Sequence, residues 1–441
     1  MSNAPRHSVR SCCFWVPNAH PLFDPCDRSP FGGIETRAWS VARQLPGLGC
    51  RTHVIVRAPY LFRHRTADGV ELWNASDGFD QMRNRFARWK SAPRAGWRSS
   101  ASALLWQAPW LSLLKLFRAV GVGRSWDRIL DEVDADCHVC IGVSRDSLRL
   151  IRSAHERGKP CVLMLASLDD LNPEFRPGSN YRTPHGEPAE ACGEVLRRAD
   201  AIVAQTEEQA EALQSRFGRD ADVIANPIDL AQWDQLVSMP APVVSERPGP
   251  FVVWIGRADR FHKRPLLALQ LAWALPEVTF LMVLNPGEVD MDAEIRRQAP
   301  ANVRVIDRVP FGQMPALFAN ARAYLSTGAS QYEGMPNVFL QAAASRTPVL
   351  SLEVAGGLLD RCAAGALADG DMHKLTQLVQ RAWRDEQWRT ACGQAGRAFV
   401  EQFHAAPQVA ARLRAILSRV TEQHRQRETT KGEHDPPGGD A

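Results

Sequence analysis

The sequence predicts an α/β protein made of two Rossmann-like domains, and three observations predict it. Short apolar runs of strand character alternate with helix-length amphipathic runs, the pattern of parallel sheets covered by helices. The alternation forms two series, separated by a proline-rich segment at 239–250 that reads as a linker. The length of 441 residues suits two or three domains, and 45% apolar with 23% charged residues is the composition of a soluble globular chain.

The first series opens with a strand at Ser11–Val16 and a proline-bearing loop to Pro30. A helix follows Gly33 to about Leu45, then a strand at Arg51–Arg57. Beyond an insertion come the strand Asp136–Val143, the helix Asp146–Arg157 and the strand Cys161–Ala166. The helix Ala189–Arg198, the strand Ala201–Ala204 and the helix Glu207–Phe217 follow, and Asp222–Asp229 closes the series. The second series starts at Phe251–Gly256. It continues through the helix Pro265–Ala274, the strands Val278–Leu284 and Val303–Ile306, the helix Met314–Asn320, the strand Ala323–Ser326, a helix opened by Pro336 and a strand from Val349. Helices at His373–Asp385, Glu386–Gln402 and Pro407–Gln423 end it. The expected organisation is a first domain over 1–238, the 239–250 linker, a second domain over 251–405, a helix at 406–423 that packs back on the first domain, and a charged, disordered tail at 424–441.

Composition excludes several classes. Ten cysteines show no framework spacing, and the Cys137-x-x-Cys140 pair lies in a strand rather than at the helix N-terminus a redox motif needs, so buried reduced thiols are expected. No apolar run reaches 18 residues, and the first, Cys12–Val16, is too short for a signal peptide, so a cytoplasmic location is expected. Net charge is +4, but between Arg83 and Arg124 nine Arg or Lys residues stand without one Asp or Glu. Trp89, Trp97, Trp106 and Trp110 are interleaved with them. Two readings fit this insertion: 83–118 binds an anionic membrane surface peripherally, or an amphipathic helical pair covers one domain face. No nucleic-acid recognition motif accompanies the charge, so no nucleic acid is expected as a partner.

The chemistry points to the ends of strands in the second series. In Gln331-Tyr-Glu-Gly-Met-Pro-Asn-Val-Phe-Leu-Gln341, Glu333 precedes a helix whose first turn holds Pro336, and Gln341 follows about 7.5 Å along the axis. A helix N-terminus attracts phosphate, and a carboxylate beside it accepts hydrogen bonds from sugar hydroxyls, a combination that suits a nucleotide sugar. In Trp254-Ile-Gly-Arg-Ala-Asp-Arg-Phe-His-Lys-Arg-Pro265, a strand ends before Arg257 and a helix opens at Pro265. Arg257 and Lys263 therefore point into a cleft as two cations for a diphosphate. Gly32-Gly33 after the first strand permits a tight turn and close approach to a ligand. Asp-x-Asp pairs at 134/136, 220/222, 290/292 and 369/371 read as surface turns or caps, and no metal is expected.

These segments resemble the retaining glycosyltransferases of family 4, whose GT-B fold sets two Rossmann-like domains across a cleft. The spacing of Glu333 and Gln341 is that of the Glu-x7-Glu motif, with Gln341 departing from the usual second Glu. The resemblance covers roughly 11–60 and 130–420, including Ala201–Glu208 and Ile224–Asp229. It implies catalytic roles for Arg257 and Lys263 at the leaving diphosphate and for Glu333 at the donor sugar. It implies donor contacts from Gly33, Arg308, Val309, Gly334, Met335, Pro336, Asn337, Val338 and Gln341. Gly32, Asp169 and Asp170 fall on the acceptor side; in the loop of Asp169 and Asp170 many relatives place a histidine against the donor sugar, and His20 and His185 are the other candidates for that role. The function it implies is transfer of a sugar from a nucleotide sugar to a glycan or lipid-linked acceptor, in bacterial surface polysaccharide or lipopolysaccharide biosynthesis. Gln341 also leaves open a non-catalytic relative that only binds, and the same architecture carries nucleotide-sugar epimerases and phosphorylases.

Overall fold

The computed structural model describes residues 9–24, 32–60, 62–76, 126–184, 186–239 and 249–432. The basic segment 83–124, most of the linker, His185 and residues 433–441 lie outside the described residues.

Strands and helices alternate as expected. The first sheet has eight strands: β1 (Ser11–Trp15), β2 (Arg51–Val56), β3 (His64–Ala67), β4 (Val70–Asn74), β5 (Cys137–Ile141), β6 (Cys161–Met164), β7 (Ala201–Ala204) and β8 (Asp222–Val223), in the order β3-β4-β2-β1-β5-β6-β7-β8. β1 lies between β2 and β5, parallel to both, with Cys12 opposite Thr52 on one side and Cys137 on the other. Cys12–Trp15 is a buried, unbroken apolar run, and Cys137–Cys140 is buried with one polar member, His138, as expected of central parallel strands covered by helices. Those helices are α1 (Gly33–Ala42), α2 (Trp126–Glu132), α3 (Arg145–Glu156), α4 (Ala189–Arg198) and α5 (Glu207–Phe217). The Ser144 hydroxyl caps α3 by accepting from the Ser147 N–H, and Thr206 caps α5 in the same way through Gln209.

The second sheet has six strands: β9 (Val252–Arg257), β10 (Phe280–Asn285), β11 (Val303–Asp307), β12 (Ala323–Ser326), β13 (Val349–Ser351) and β14 (Gly365–Leu367). Their order is β11-β10-β9-β12-β13-β14, and every pairing is parallel. Alternate residues build two cores. Val253, Ile255, Leu281, Val283 and Tyr324 face one, shared with α6 (Leu230–Val237), α9 (Met314–Asn320), α10 (Asn337–Ala344) and α12 (Glu386–Phe403). Val252, Trp254, Phe280, Met282 and Leu325 face the other, shared with α7 (Pro265–Ala274), α8 (Val289–Gln298) and α11 (Met372–Arg384). The chain builds outward from β9 through β10 to β11, then returns to place β12 on β9's other side. The topological switch point thus lies between β9 and β12, and ligands of open α/β sheets bind outside the carboxyl ends of the strands at such a point.

The chain divides into two compact units, one of residues 1–164, 174–202 and 410–441, the other of 165–173 and 203–409. The division runs through β7 rather than at the expected 238, because Asn226 and Trp233 belong to the second unit: Asn226 bonds the loop before α10, and Trp233 is buried in one of the two second cores. Another difference concerns the tail. Helix α13 spans Ala406–Gly432, nine residues beyond the expected end at Gln423. Gln426 donates to Glu422 and Arg425 to Asp136, so 424–432 continues the helix instead of being disordered.

Candidate functional site in the second unit

Glu333 and Lys263 meet. The Lys263 ammonium donates to Glu333 Oε1, joining the loop after β9 to the loop after β12. The two side chains are 27% and 17% exposed, so the pair lies in a partly desolvated recess where its attraction is stronger than at an open surface. The pairing differs from the expected picture of Lys263 as a bare second cation.

The backbone brings them together for identifiable reasons. Gly256 is the next-to-last residue of β9, and a Cβ there would sit 2.6 Å from the Trp254 ring and 3.2 Å from Lys263 Cβ, so glycine lets the loop fold against its own strand. Trp254 Nε1 donates to Thr327 Oγ1 (2.9 Å), and that hydroxyl donates to the Lys263 carbonyl (2.7 Å). Arg264 adds three bonds: Nε to the Thr327 carbonyl (2.7 Å), Nη2 to the Gly328 carbonyl (2.8 Å) and Nη1 to Glu353 Oε1 (2.7 Å). It does so from a left-handed backbone (φ 47°) immediately before Pro265, a conformation a non-glycine residue adopts only when its surroundings over-determine it. His262 stacks on Tyr332, ring centroids 4.1 Å apart and planes 14° from parallel.

Arg257 is exposed at the end of β9, and its side chain meets no hydrogen-bonding or charged partner among the described residues. Helix α10 begins at Asn337, one residue later than expected, with Pro336 extended at ψ 126° and its carbonyl accepting from the Phe339 N–H. Gly334 and Gln341 are half-buried. Met335 and Val338 pack on the core, so they shape the loop through apolar contact. Gly356 and Gly357 stand in the left-handed region, and a Cβ at Gly356 would lie 3.0 Å from Pro336 Cδ, close backing for the α10 start that was not read from the sequence. Arg308 is exposed beyond β11, and Val309 is buried beside it.

Asp170 accepts from the Ala166 N–H (2.6 Å) and closes its own turn, while Asp169 is exposed. In the first unit, the Gly32 N–H donates to Glu35 Oε2 (2.8 Å) at the start of α1, the half of a capping box that needs no N-cap side chain, and Gly33 is exposed on the first turn. His20 is fully buried, its Nε2 3.1 Å from Arg65 Nη2. Members of three of the Asp-x-Asp pairs cap or pair: Asp371 caps α11, Asp292 binds Arg296, and Asp136 accepts from the Arg10 and Ser11 N–H groups. The contribution of Arg264 was missed because three consecutive polar residues, His262-Lys-Arg, offer no local signal of which one turns inward. Asn226 was seen only as part of a segment, since its partners in the loop before α10 lie more than a hundred residues away.

A family model described as Glycosyltransferase Family 4 matches residues 31–232, and one described as Glycosyl transferases group 1 matches 249–385. No curated protein matches the sequence. Among solved structures, the chain is similar to a sucrose-phosphate synthase from Thermosynechococcus elongatus (14% identity, TM-score 0.65, covering 94% of this chain and 100% of that one). It is also similar to the catalytic domain of starch synthase IV from Arabidopsis thaliana, bound to ADP and acarbose (12%, 0.64, 94% and 100%). A third is a TarM mutant from S. aureus in complex with Fondaparinux, alpha-GlcNAc-glycerol and UDP (9%, 0.63, 93% and 100%). At these identities the likeness is one of fold, and the family models add the rest: the chain belongs to the group 1 glycosyltransferases of the GT-B fold.

Proposed function

We propose that this glycosyltransferase uses a nucleotide-sugar donor and transfers the sugar with retention at the anomeric carbon to a glycan or lipid-linked acceptor. The observation that carries the reading is the Lys263–Glu333 pair at the switch point of the second sheet, with Arg257 on the adjoining strand end and the start of α10 following Glu333. A nucleoside diphosphate needs cations and helix N–H groups, and a donor sugar needs a carboxylate for its hydroxyls. Both kinds of group stand here on two adjacent loops. Two of the similar structures, starch synthase IV and TarM, are described with ADP and UDP, in keeping with such a donor.

In the proposed reaction the bond between the anomeric carbon and the diphosphate oxygen breaks, and a bond to the acceptor oxygen forms on the same face. The acceptor's proton passes to the departing phosphate oxygen. Arg257 and Lys263 stabilise the charge that grows on the diphosphate, Glu333 orients the sugar hydroxyls, and Gln341 accepts from the ribose. No residue here is assigned to a metal, since the two cations supply the same charge stabilisation; turnover is expected to survive a chelator. The acceptor is proposed to be a bacterial surface polysaccharide or a lipid-linked precursor, with 83–118 resting on an anionic bilayer. Flotation with anionic liposomes tests that point, and unchanged flotation after deletion of 83–118 would remove it.

The first experiment is a thermal-shift panel of UDP, GDP, ADP and their sugar conjugates. A ligand at 100 times its Kd adds roughly 2.7 kcal/mol of stability. A shift with one nucleotide, lost in Glu333→Ala or Arg257→Ala, supports the reading. No shift with any of them overturns it. Donor binding without transfer to a broad acceptor pool would favour the non-catalytic alternative that Gln341 motivates.

A further inference from the structure

We infer that Asn226 and Gln205 form a buried amide relay that positions the Glu333–Asn337 loop, making Asn226 a positioning residue for donor binding. This inference rests on the donor site proposed above. Asn226 is 3% exposed and comes from the segment after β8, far in sequence from that loop. Its Nδ2 faces three oxygens: the Met335 carbonyl (3.2 Å), Asn337 Oδ1 (3.0 Å) and Gln205 Oε1 (3.1 Å). An amide nitrogen facing three acceptors fixes which way the side chain points, because the flipped rotamer would set oxygen against oxygen. Gln205, itself 8% exposed, passes the connection on, its Nε2 donating to the carbonyls of Leu165 (2.9 Å) and Ala166 (2.7 Å). The Ala166 N–H in turn bonds Asp170. One chain of amides therefore links the turn that carries Asp169 and Asp170 to the loop that carries Glu333.

Two details indicate that the relay serves the loop. Among the described residues, Asn226 Oδ1 and Gln209 Nε2 are buried without a hydrogen-bond partner, and Gln209 Nε2 would lie 3.7 Å from a Cβ placed on Gly334. Unpaired buried amides cost stability, so a cluster that tolerates two of them beside a single loop is poorly explained by folding alone. The Asn226 backbone is also held: its carbonyl accepts from His404 Nδ1 (2.7 Å), and Ile228 exchanges backbone bonds with His404 and Ala406. The relay thus stands on a fixed base. Moving the Met335 carbonyl and Asn337 would displace the two residues that flank Pro336, and with them the start of α10 and the approach of Glu333 to the sugar.

The test separates positioning from stability. Asn302 is the control: its Nδ2 donates to three carbonyls, of Ala272, Leu275 and Val278, away from this loop. Binding of UDP-glucose and UDP, GDP-mannose and GDP, and ADP-glucose and ADP is measured for wild type, Asn226→Ala, the isosteric Asn226→Asp and Asn302→Ala. Both Asn226 variants are expected to weaken the nucleotide sugar by about tenfold or more while the parent diphosphate changes by less than about threefold. Asn302→Ala is expected to lower the Tm without that split. Hydrogen exchange of 331–341 in the ligand-free protein should rise in the Asn226 variants and not in Asn302→Ala. Wild-type donor affinity in both Asn226 variants, or unchanged exchange of 331–341, overturns the relay. Absence of nucleotide-sugar binding by wild type overturns the donor reading, while the exchange result still decides whether Asn226 holds the loop.

Discussion

Removing either member of the Lys263–Glu333 pair strands the other in a recess where it is less than a third exposed. The two losses should therefore not add. In a double-mutant cycle of Lys263→Ala and Glu333→Ala, followed by denaturant unfolding, a coupling of about 0.5–3 kcal/mol is expected; additive losses would mean that the contact contributes nothing to the folded state. Arg257 is the opposite case. Exposed and without a partner among the described residues, it should give up little stability on substitution, within about 0.5 kcal/mol. If it stabilises a departing diphosphate, Arg257→Ala should lower kcat by about 10²–10³. A near-wild-type kcat would remove Arg257 from that role, and a large fall in Tm would make it structural.

The loop between β9 and α7 is held mainly by Arg264, which pairs a strained backbone with three side-chain bonds. Arg264→Ala and Arg264→Gly both lose those bonds, which for a charged donor contribute about 1.5–3 kcal/mol each before the loop relaxes. Only glycine also relieves the left-handed φ, so Arg264→Gly should be more stable than Arg264→Ala by about 1 kcal/mol in chemical denaturation. An equal loss would show that the backbone there relaxes once the side chain is gone. Elements of this kind mark the limit of what the sequence carries. The strands and helices at 251–285 and 314–351 were legible because both faces of the sheet are apolar and Pro265, Pro315 and Pro336 punctuate the helix starts. The β3–β4 hairpin was not read, although Asp68-Gly69, both at positive φ, is the two-residue turn signal such a hairpin uses. Helix α6 also went unread, its cap at Asp229 hidden in a segment taken as the end of a domain.

Over the whole molecule, the features that left no local signal in the sequence were long-range. Glu333 and Lys263 stand out because glycine, proline and charge cluster around them locally, whereas Asn226 acquires meaning only when residues more than a hundred positions apart meet. The buried histidines are similar, and they set how the protein responds to acid. Burial lowers His53 to about 4 against the opposing pull of Glu71, while Arg51 and His64 lower it further. Burial lowers His138 to about 3, with Lys159, Arg157 and His53 adding to the effect. His404 falls to about 4, by burial and Arg361, although its bond to the Asn226 carbonyl acts the other way. The sign follows from proton counts. Below the ordinary histidine value near 6.5 the unfolded chain takes up protons that the folded chain refuses, so stability is full above that value and declines as pH falls towards the folded values. Each histidine can remove up to about 1.4 kcal/mol per pH unit in that window. The Tm should therefore hold steady from pH 8 to 7 and fall increasingly from 6.5 to 4.5. His404→Gln, which can still donate to the Asn226 carbonyl but cannot take up a proton, should flatten that fall by one histidine's share. A Tm independent of pH between 6.5 and 4.5 would mean that these imidazoles are protonated at little cost, and that their burial is looser than the packing of the two units implies.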